Sequence, residues 1–222
     1  VRVTAPEGSI LNAPPPRAVA ARHAIGQMLP DVVLGCLAQA VEGIAPAEGT
    51  SCLWNFVLYG GAGIAGNSAS ANATPFTVTL FHNGGVGARP DKDGLSATAF
   101  PSGVRNTPVE INEAISPILV RHKEYREDSG GPGRHRGGLG QVMEIGNIEG
   151  AAFTVSSMFD RVNYAPRGRL GGADGACGRS ILASGEALAP KGRQIVPAGD
   201  TLVLDMPGGG YGPAFAREPA LV

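Results

Sequence analysis

The chain has 222 residues, of which 43% are hydrophobic and 17% are charged, which is enough for one substantial hydrophobic core. A formal net charge of -1 gives no electrostatic reason to expect a nucleic acid or a membrane surface as partner. The 34 glycines and 18 prolines are interrupted by apolar runs such as CLWNFVLY, so a turn-rich β protein is favoured over disorder.

The cysteines and the termini bear on location. Cys36, Cys52 and Cys177 form no CxxC pair, which argues against a disulfide framework and against a zinc ribbon. No apolar run reaches the roughly 18 residues that a membrane span needs, and the first residues do not resemble a secretory signal. We therefore expect reduced thiols and a cytoplasmic location.

The first part of the chain predicts a mixture of helix and strand. Residues 1–5 alternate in polarity like a strand, and residues 18–42 carry apolar side chains mostly at helical spacing. Pro30 should kink or split this helix, because proline lacks the backbone N–H and clashes with the preceding turn. The other predicted elements here are strands at 51–59 and 74–82, a loop at 60–73 and a short helix at 107–115.

From residue 116 onward the pattern predicts β structure. The predicted strands are 118–125, 141–148, 153–157, 180–183 and 201–206. We therefore predict an α+β fold in two parts. A mixed part at 1–115 contains one long kinked helix, and a mostly antiparallel, sandwich- or barrel-like part occupies 116–222.

Two common site motifs are weak in this chain. Residues 61–66 match GxGxxG after a predicted strand, but NSASANATP follows and does not begin a helix, so a small-residue loop is favoured over a dinucleotide site. No histidine lies four residues from another, so structural or solvated roles are favoured over metal binding. The histidines are His23, His82, His122 and His135, of which His82 is the most suggestively placed, beside a glycine-rich segment.

The charged residues near glycines keep alternative interpretations. Asp91 and Asp93 are favoured as turn residues over metal ligands or proton-transfer groups. A group of arginines could recognise phosphate or carboxylate groups, or could pair with acidic residues of other segments or of another subunit. These arginines are Arg134, Arg136, Arg161, Arg167 and Arg169.

Several long blocks together resemble the hydantoinase B/oxoprolinase family. They are HNGGVGARPDKDGLSATAF, SGVRNTPVEINEAISPILV, KEYREDSGGPGRHRGGLGQVMEI and PAGDTLVLDMPGGGYG, with PAEGTSCLWNFVLYGG and ARHAIGQMLPDVVLGCLAQA before them. The blocks run in family order and cover nearly the whole chain. The chain is thereby identified as similar to a B-type subunit.

The resemblance implies a part in the hydrolytic ring opening of a hydantoin or lactam. A hydantoinase A-type partner is expected to bind ATP and Mg²⁺ and to phosphorylate the carbonyl oxygen of the small cyclic amide substrate. Two alternatives stay open: a non-catalytic structural module of such a complex, and part of a ketone carboxylase subunit.

The resemblance also implies that this chain is the C-terminal half of a longer subunit. B-type subunits are roughly twice as long, and their N-terminal half carries DPxxGGTHLPD and HHxDIGG blocks that have no counterpart here. The divalent metal of the family is expected in that half, so no metal ligand or bound cofactor is assigned to this chain. We expect the chain alone to be inactive.

The glycine-rich blocks supply the candidate site residues. Dense glycine specifies the shape of a backbone, and these blocks are predicted to line the substrate cleft or to pack against the N-terminal half. The resemblance assigns no catalytic role. The cleft candidates are Asn83, Gly84, Gly85, Arg89, Asp93, Arg105, Asn106, Thr107 and Glu110.

Overall fold

The computed structural model describes residues 2, 4–19, 21–62 and 72–212, and the chain forms an α+β fold. The helices are α1 (Arg22–Gly26), α2 (Leu29–Ala40) and α3 (Val109–Ile115). The strands are β1 (Trp54–Gly60), β2 (Phe76–His82), β3 (Ile118–Tyr125), β4 (Gln141–Asn147), β5 (Phe153–Met158), β6 (Arg179–Leu182), β7 (Lys191–Val196) and β8 (Leu202–Asp205).

The long predicted helix is present, and it is divided in the place that Pro30 indicates. Pro30 lies in the first turn of α2, where the backbone N–H that it lacks would have had no partner in the helix. The helix begins later than predicted because Ala21 has a left-handed φ of 56°. It ends at Ala40 because Val41 is extended, with φ -135°.

The eight strands form two antiparallel sheets of four strands each. The first sheet has the order β2-β1-β5-β7, and the second has the order β3-β4-β8-β6. Neither sheet closes into a barrel among the described strands. The first sheet takes strands from both sides of residue 116, and the division into two parts at that residue stays a prediction.

Both sheets bury side chains in one hydrophobic core, as in a β sandwich. Trp54, Phe56 and Leu58 alternate along β1 on the core face, where they meet residues of the second sheet such as Ile145 and Leu204. The first sheet thereby presents its other face to the helical region. Within the described ranges, no helix is long and apolar enough to span a bilayer.

A few sequence-based expectations need correction. Residues 2, 4 and 5 belong to no strand, and residues 1 and 3 of that predicted strand lie outside the described residues. The edge strand β7 was not predicted. Residues 63–71, which include most of the GxGxxG match and of the predicted loop, also lie outside the described residues.

Candidate functional site

Four segments outside the strands join backbone to backbone, and we call them the glycine bundle: residues 84–94, 130–140, 166–178 and 206–212. Gly85 N–H donates to the Pro207 carbonyl at 3.1 Å, and Gly138 N–H donates to the Val86 carbonyl at 2.8 Å. Gly209 N–H in turn donates to the Gly138 carbonyl at 2.9 Å. The bundle therefore satisfies buried backbone groups without forming a sheet.

Close approach explains why these positions are glycine. A Cβ at Gly85 would overlap the Gly138 carbonyl, and a Cβ at Gly209 would overlap the Val86 carbonyl. Neither glycine has a positive φ, so the steric need is for space and not for a left-handed backbone. These glycines thus lie where the backbones of different segments pack against each other.

Several cleft candidates lie inside this bundle. Gly84 and Gly85 are buried, and a Cβ at Gly84 would overlap the Thr50 hydroxyl. The Arg89 guanidinium donates twice to the Asp93 carbonyl, from Nε at 3.0 Å and from Nη2 at 2.8 Å. The Asp93 carboxylate accepts the Arg136 N–H at 2.9 Å, so Arg89 and Asp93 brace one bundle segment against another.

The other candidates lie on the surface beside α3. Arg105, Asn106 and Thr107 are exposed in the loop before α3, and Glu110 is exposed in its first turn. Asn83 links this loop to the bundle, because its amide donates to the carbonyl of Val104 at 3.4 Å. The candidates therefore fall into a buried group and an exposed group, and their role at a substrate cleft stays a prediction.

A cluster of charges joins the helical region to the bundle, and we call it the Arg161 cluster: the buried side chains of Asp31, Glu48 and Arg161, with the exposed Arg167. Arg161 is 8% exposed and contacts Asp31 at 3.0 Å and Glu48 at 2.9 Å. Glu48 also accepts the Arg167 backbone N–H at 3.1 Å and its Nε at 2.8 Å. Arg161 and Arg167 thus pair with acidic residues of other segments, one of the two interpretations that the sequence left open.

The two carboxyls of this cluster differ in acidity. Burial raises the pKa of Asp31 above its ordinary value, and the charge of Arg161 offsets only part of that effect. Burial also opposes ionisation of Glu48, but hydrogen bonds from Arg167 and the charge of Arg161 outweigh it, so the pKa of Glu48 is lowered. Opposite shifts in neighbouring carboxyls often mark functional sites and also occur in structural ion pairs.

Two open grooves adjoin the cluster. One has a volume of about 610 Å³ and is lined by Asp31, Glu48 and the exposed side chain of Tyr164, among others. The second, of about 450 Å³, shares Asp31 and Glu48 and runs along α2 past Cys36. Large concave sites that contain a few convergent polar groups are the usual places for ligands.

A third, more apolar pocket of about 410 Å³ lies on the outer face of the first sheet, against His23, Phe81 and Val104. His23 Nε2 lies 3.2 Å from the amide nitrogen of Asn55 on β1. Because Val104 directly precedes Arg105, this pocket adjoins the exposed cleft candidates. The structure thus places the loop before α3 beside a pocket.

Two residues whose side chains could take part in catalysis, His82 and Cys52, are buried in the structure. His82 is fully buried between Gln141 Oε1 at 3.3 Å and Met143 Sδ at 3.0 Å, and burial lowers the pKa of His82 to about 3. Burial raises the pKa of the Cys52 thiol to about 12. Both groups are therefore neutral near pH 7. Among the described residues, no group of three or more His, Cys, Asp and Glu side chains is placed to hold a metal ion.

Asp31 and Glu48 were not singled out from the sequence. Asp31 is the one charged residue in the α2 sequence LPDVVLGCLAQA, and an isolated acid in an apolar helix is a usable signal for a buried ion pair. Glu48 stands in a short connection before β1 and gives no comparable signal. Its partners Arg161 and Arg167 lie more than a hundred residues away.

Comparison with models of known protein families shows to which family the chain is related. The family model for hydantoinase B/oxoprolinase matches residues 1–214. The chain belongs to the hydantoinase B/oxoprolinase family. This confirms the resemblance seen in the sequence blocks.

Known relatives are longer than this chain. A protein of Pseudomonas sp. (strain NS671) named for the B subunit of a D-/L-hydantoinase is 29% identical over 230 residues, which cover 100% of this chain and 37% of the relative. A 5-oxoprolinase of Dictyostelium discoideum is 30% identical over 144 residues, covering 63% of this chain and 11% of the relative. The chain thus spans less than two-fifths of either relative.

A solved structure shares the fold. The ATP-dependent caprolactamase from Pseudomonas jessenii superposes with a TM-score of 0.80 at 21% identity, over 99% of this chain and 39% of the caprolactamase chain. The arrangement of helices, sheets and bundle described above is therefore also found within a longer polypeptide.

Proposed function

We propose that this chain acts as part of a B-type subunit in the ATP-dependent, hydrolytic ring opening of a small cyclic amide. The observation that carries the proposal is the family match over residues 1–214. Relatives named as a hydantoinase subunit and as a 5-oxoprolinase support a cyclic amide substrate. The remaining part of the B-type subunit would supply the divalent metal, and an A-type partner would bind ATP and Mg²⁺.

The chemistry requires activation because a resonance-stabilised amide is a poor electrophile. The A-type partner would transfer the terminal phosphoryl group of ATP to the amide oxygen. One water then adds to the ring carbon, the C–N bond breaks, and the nitrogen takes a proton, leaving an acyl phosphate. A second water releases inorganic phosphate and leaves a carboxylate. One ATP and two waters are consumed for each ring opened.

The part assigned to this chain is the wall of the cleft. The glycine bundle fixes the backbone behind Asn83, while the loop before α3 presents Asn106 and the first turn of α3 presents Glu110 at the surface. An amide and a carboxylate are suited to hydrogen-bonding the polar edge of a cyclic amide. Held on a rigid scaffold, they would orient the activated ring toward the attacking water.

The test assembles three components: this chain, an A-type subunit, and the part of a B-type subunit to which this chain has no counterpart. ADP and ring-opened product are measured with hydantoin, 5-oxoproline and caprolactam. We expect ADP formation to depend on a cyclic amide, and Asn106→Ala or Glu110→Gln to abolish turnover. Glu124→Gln, at an exposed position on β3, is the matched control and should leave turnover unchanged.

Two outcomes would contradict the proposal. Unchanged turnover in the Asn106 and Glu110 variants, with weakened assembly, would favour a non-catalytic structural module. ATP consumption that depends on a ketone and bicarbonate, without any dependence on a cyclic amide, would favour a carboxylase. Mass photometry on every variant separates loss of assembly from loss of chemistry.

A further inference from the structure

Helix α2 has an inverted distribution of buried residues. Its one buried residue is the acid Asp31. Leu29, Val32, Val33 and Leu37 are instead exposed, at 37%, 61%, 48% and 41%. A surface helix in a finished fold ordinarily buries its apolar side chains and exposes its charges. The exposed apolar side chains of α2 therefore need a partner that the described chain does not provide.

These four residues form one continuous surface, which we call the α2 stripe. Leu29, Val33 and Leu37 follow each other at intervals of four, and Val32 lies beside them at an interval of three from Leu29. At 3.6 residues per turn, such positions share one face of a helix. Asp31, two positions after Leu29, points to the opposite side. Leu29 and Val33 thus face away from the Arg161 cluster, and Val32 lies at the edge of the stripe nearest to it.

The Arg161 cluster helps to hold α2 in this orientation, beside the half-buried Leu34 and Ala38. The Asp31 carboxylate contacts Arg161 at 3.0 Å, and both side chains are 8% exposed. Breaking such a buried pair is costly, so the pair anchors the helix by its polar side. Val32 lines both grooves that flank the cluster, so a polypeptide seated on the stripe would also cover them.

The length of the relatives indicates what covers the stripe. This chain matches 37% of the hydantoinase B subunit relative and 39% of the caprolactamase chain, so more than three-fifths of each polypeptide lies outside the shared fold. The stripe consists of aliphatic side chains alone, which is the character of obligate interfaces. Interfaces between subunits that separate are more polar.

We propose that the α2 stripe is the docking surface for the remaining part of the B-type subunit. This inference rests on the proposed function only for the identity of the partner. Binding at the stripe requires neither ATP nor substrate. Docking places the two grooves of the Arg161 cluster at the boundary between the two parts.

The test uses this chain and, as a separate polypeptide, the portion of the Pseudomonas hydantoinase B subunit that the chain does not match. Binding is measured by isothermal titration calorimetry for wild type, Val33→Glu and Ile148→Glu. Ile148 is 70% exposed, away from α2, and is the matched control. We expect Val33→Glu to weaken binding at least about tenfold, because a charge would be buried, and Ile148→Glu to leave it within about twofold.

Both glutamates replace exposed residues, so thermal unfolding of the isolated chain should be the same in the two variants. Equal binding by the two variants would overturn the proposal. Self-association of the chain alone that Val33→Glu abolishes would assign the stripe to a second copy instead. Binding to an A-type subunit alone, with the same sensitivity, would assign it to that subunit. The two parts could also bind each other in a Val33-dependent way while the complete assembly opens no cyclic amide ring. That outcome would support this inference and refute the proposed function.

Discussion

Replacing Arg161 by methionine removes the cation that lies between Asp31 and Glu48. The three side chains are at most 8% exposed, and the guanidinium is 3.0 Å and 2.9 Å from the two carboxylates. Removing one partner of a buried ion pair costs about 3–5 kcal/mol, because the remaining charge is left without compensation. For a chain of this size each kcal/mol lowers Tm by about 2–4 °C, so Arg161→Met should lower Tm by about 6–20 °C.

Differential scanning calorimetry at pH 7 measures this change, with Arg121→Met as the control. Arg121 is 52% exposed and lies 3.4 Å from Glu144, so its removal should cost no more than about 1 kcal/mol. Glu48 keeps Arg167 as a partner, so adding Asp31→Asn to Arg161→Met removes the charge left uncompensated and should restore part of the lost stability. The reasoning is refuted if Arg161→Met costs no more than Arg121→Met, or if Asp31→Asn restores nothing.

Two further predictions concern the bundle and the core histidine. Gly85→Ala should lower the free energy of unfolding in urea by more than about 4 kcal/mol, because its Cβ would overlap the Gly138 carbonyl. Gly26→Ala is the control and should change that free energy by no more than about 1 kcal/mol, because no atom lies within 4 Å of the added Cβ. Equal stabilities of the two variants would contradict this reasoning. His82 has a lowered pKa of about 3 against an ordinary value of 6.5, so its NMR ring signals should stay constant from about pH 8 to pH 4. Between pH 6.5 and about pH 3, His82 is protonated in the unfolded chain but not in the folded chain. Protonation of His82 therefore lowers the free energy of unfolding as the pH falls through this range. A His82 titration near 6.5 would contradict the assignment.

The local elements were predictable because each rests on neighbouring residues. Alternation in Phe76–His82 indicates a strand with one buried face, and its burial alternates accordingly. Pro30 marks the division of the helix. The edge strand Lys191–Val196 escaped prediction because Val196 is its only buried residue, so the sequence carries no periodic signal there.

The candidate site was less predictable because it depends on contacts distant in sequence. Arg161 meets Asp31 across 130 positions, and nothing local to either residue specifies the other. The glycine blocks were recognised as important, but the reason for their composition is contact with other blocks. Only the fold shows that Arg89 and Asp93 brace the bundle while Asn106 and Glu110 lie at the surface.

The glycine bundle also determines when the protein can fold. Its central segment, residues 84–94, pairs with 136–138 and with 207–210, so several of its backbone groups find their partners only after the last of these has been synthesised. Contacts between distant segments form slowly, because the intervening chain loses entropy when it is closed into a loop. On the ribosome, these groups would therefore stay unpaired until residues 207–210 have been synthesised. Protection of this nascent chain would matter more than for a protein whose contacts are local.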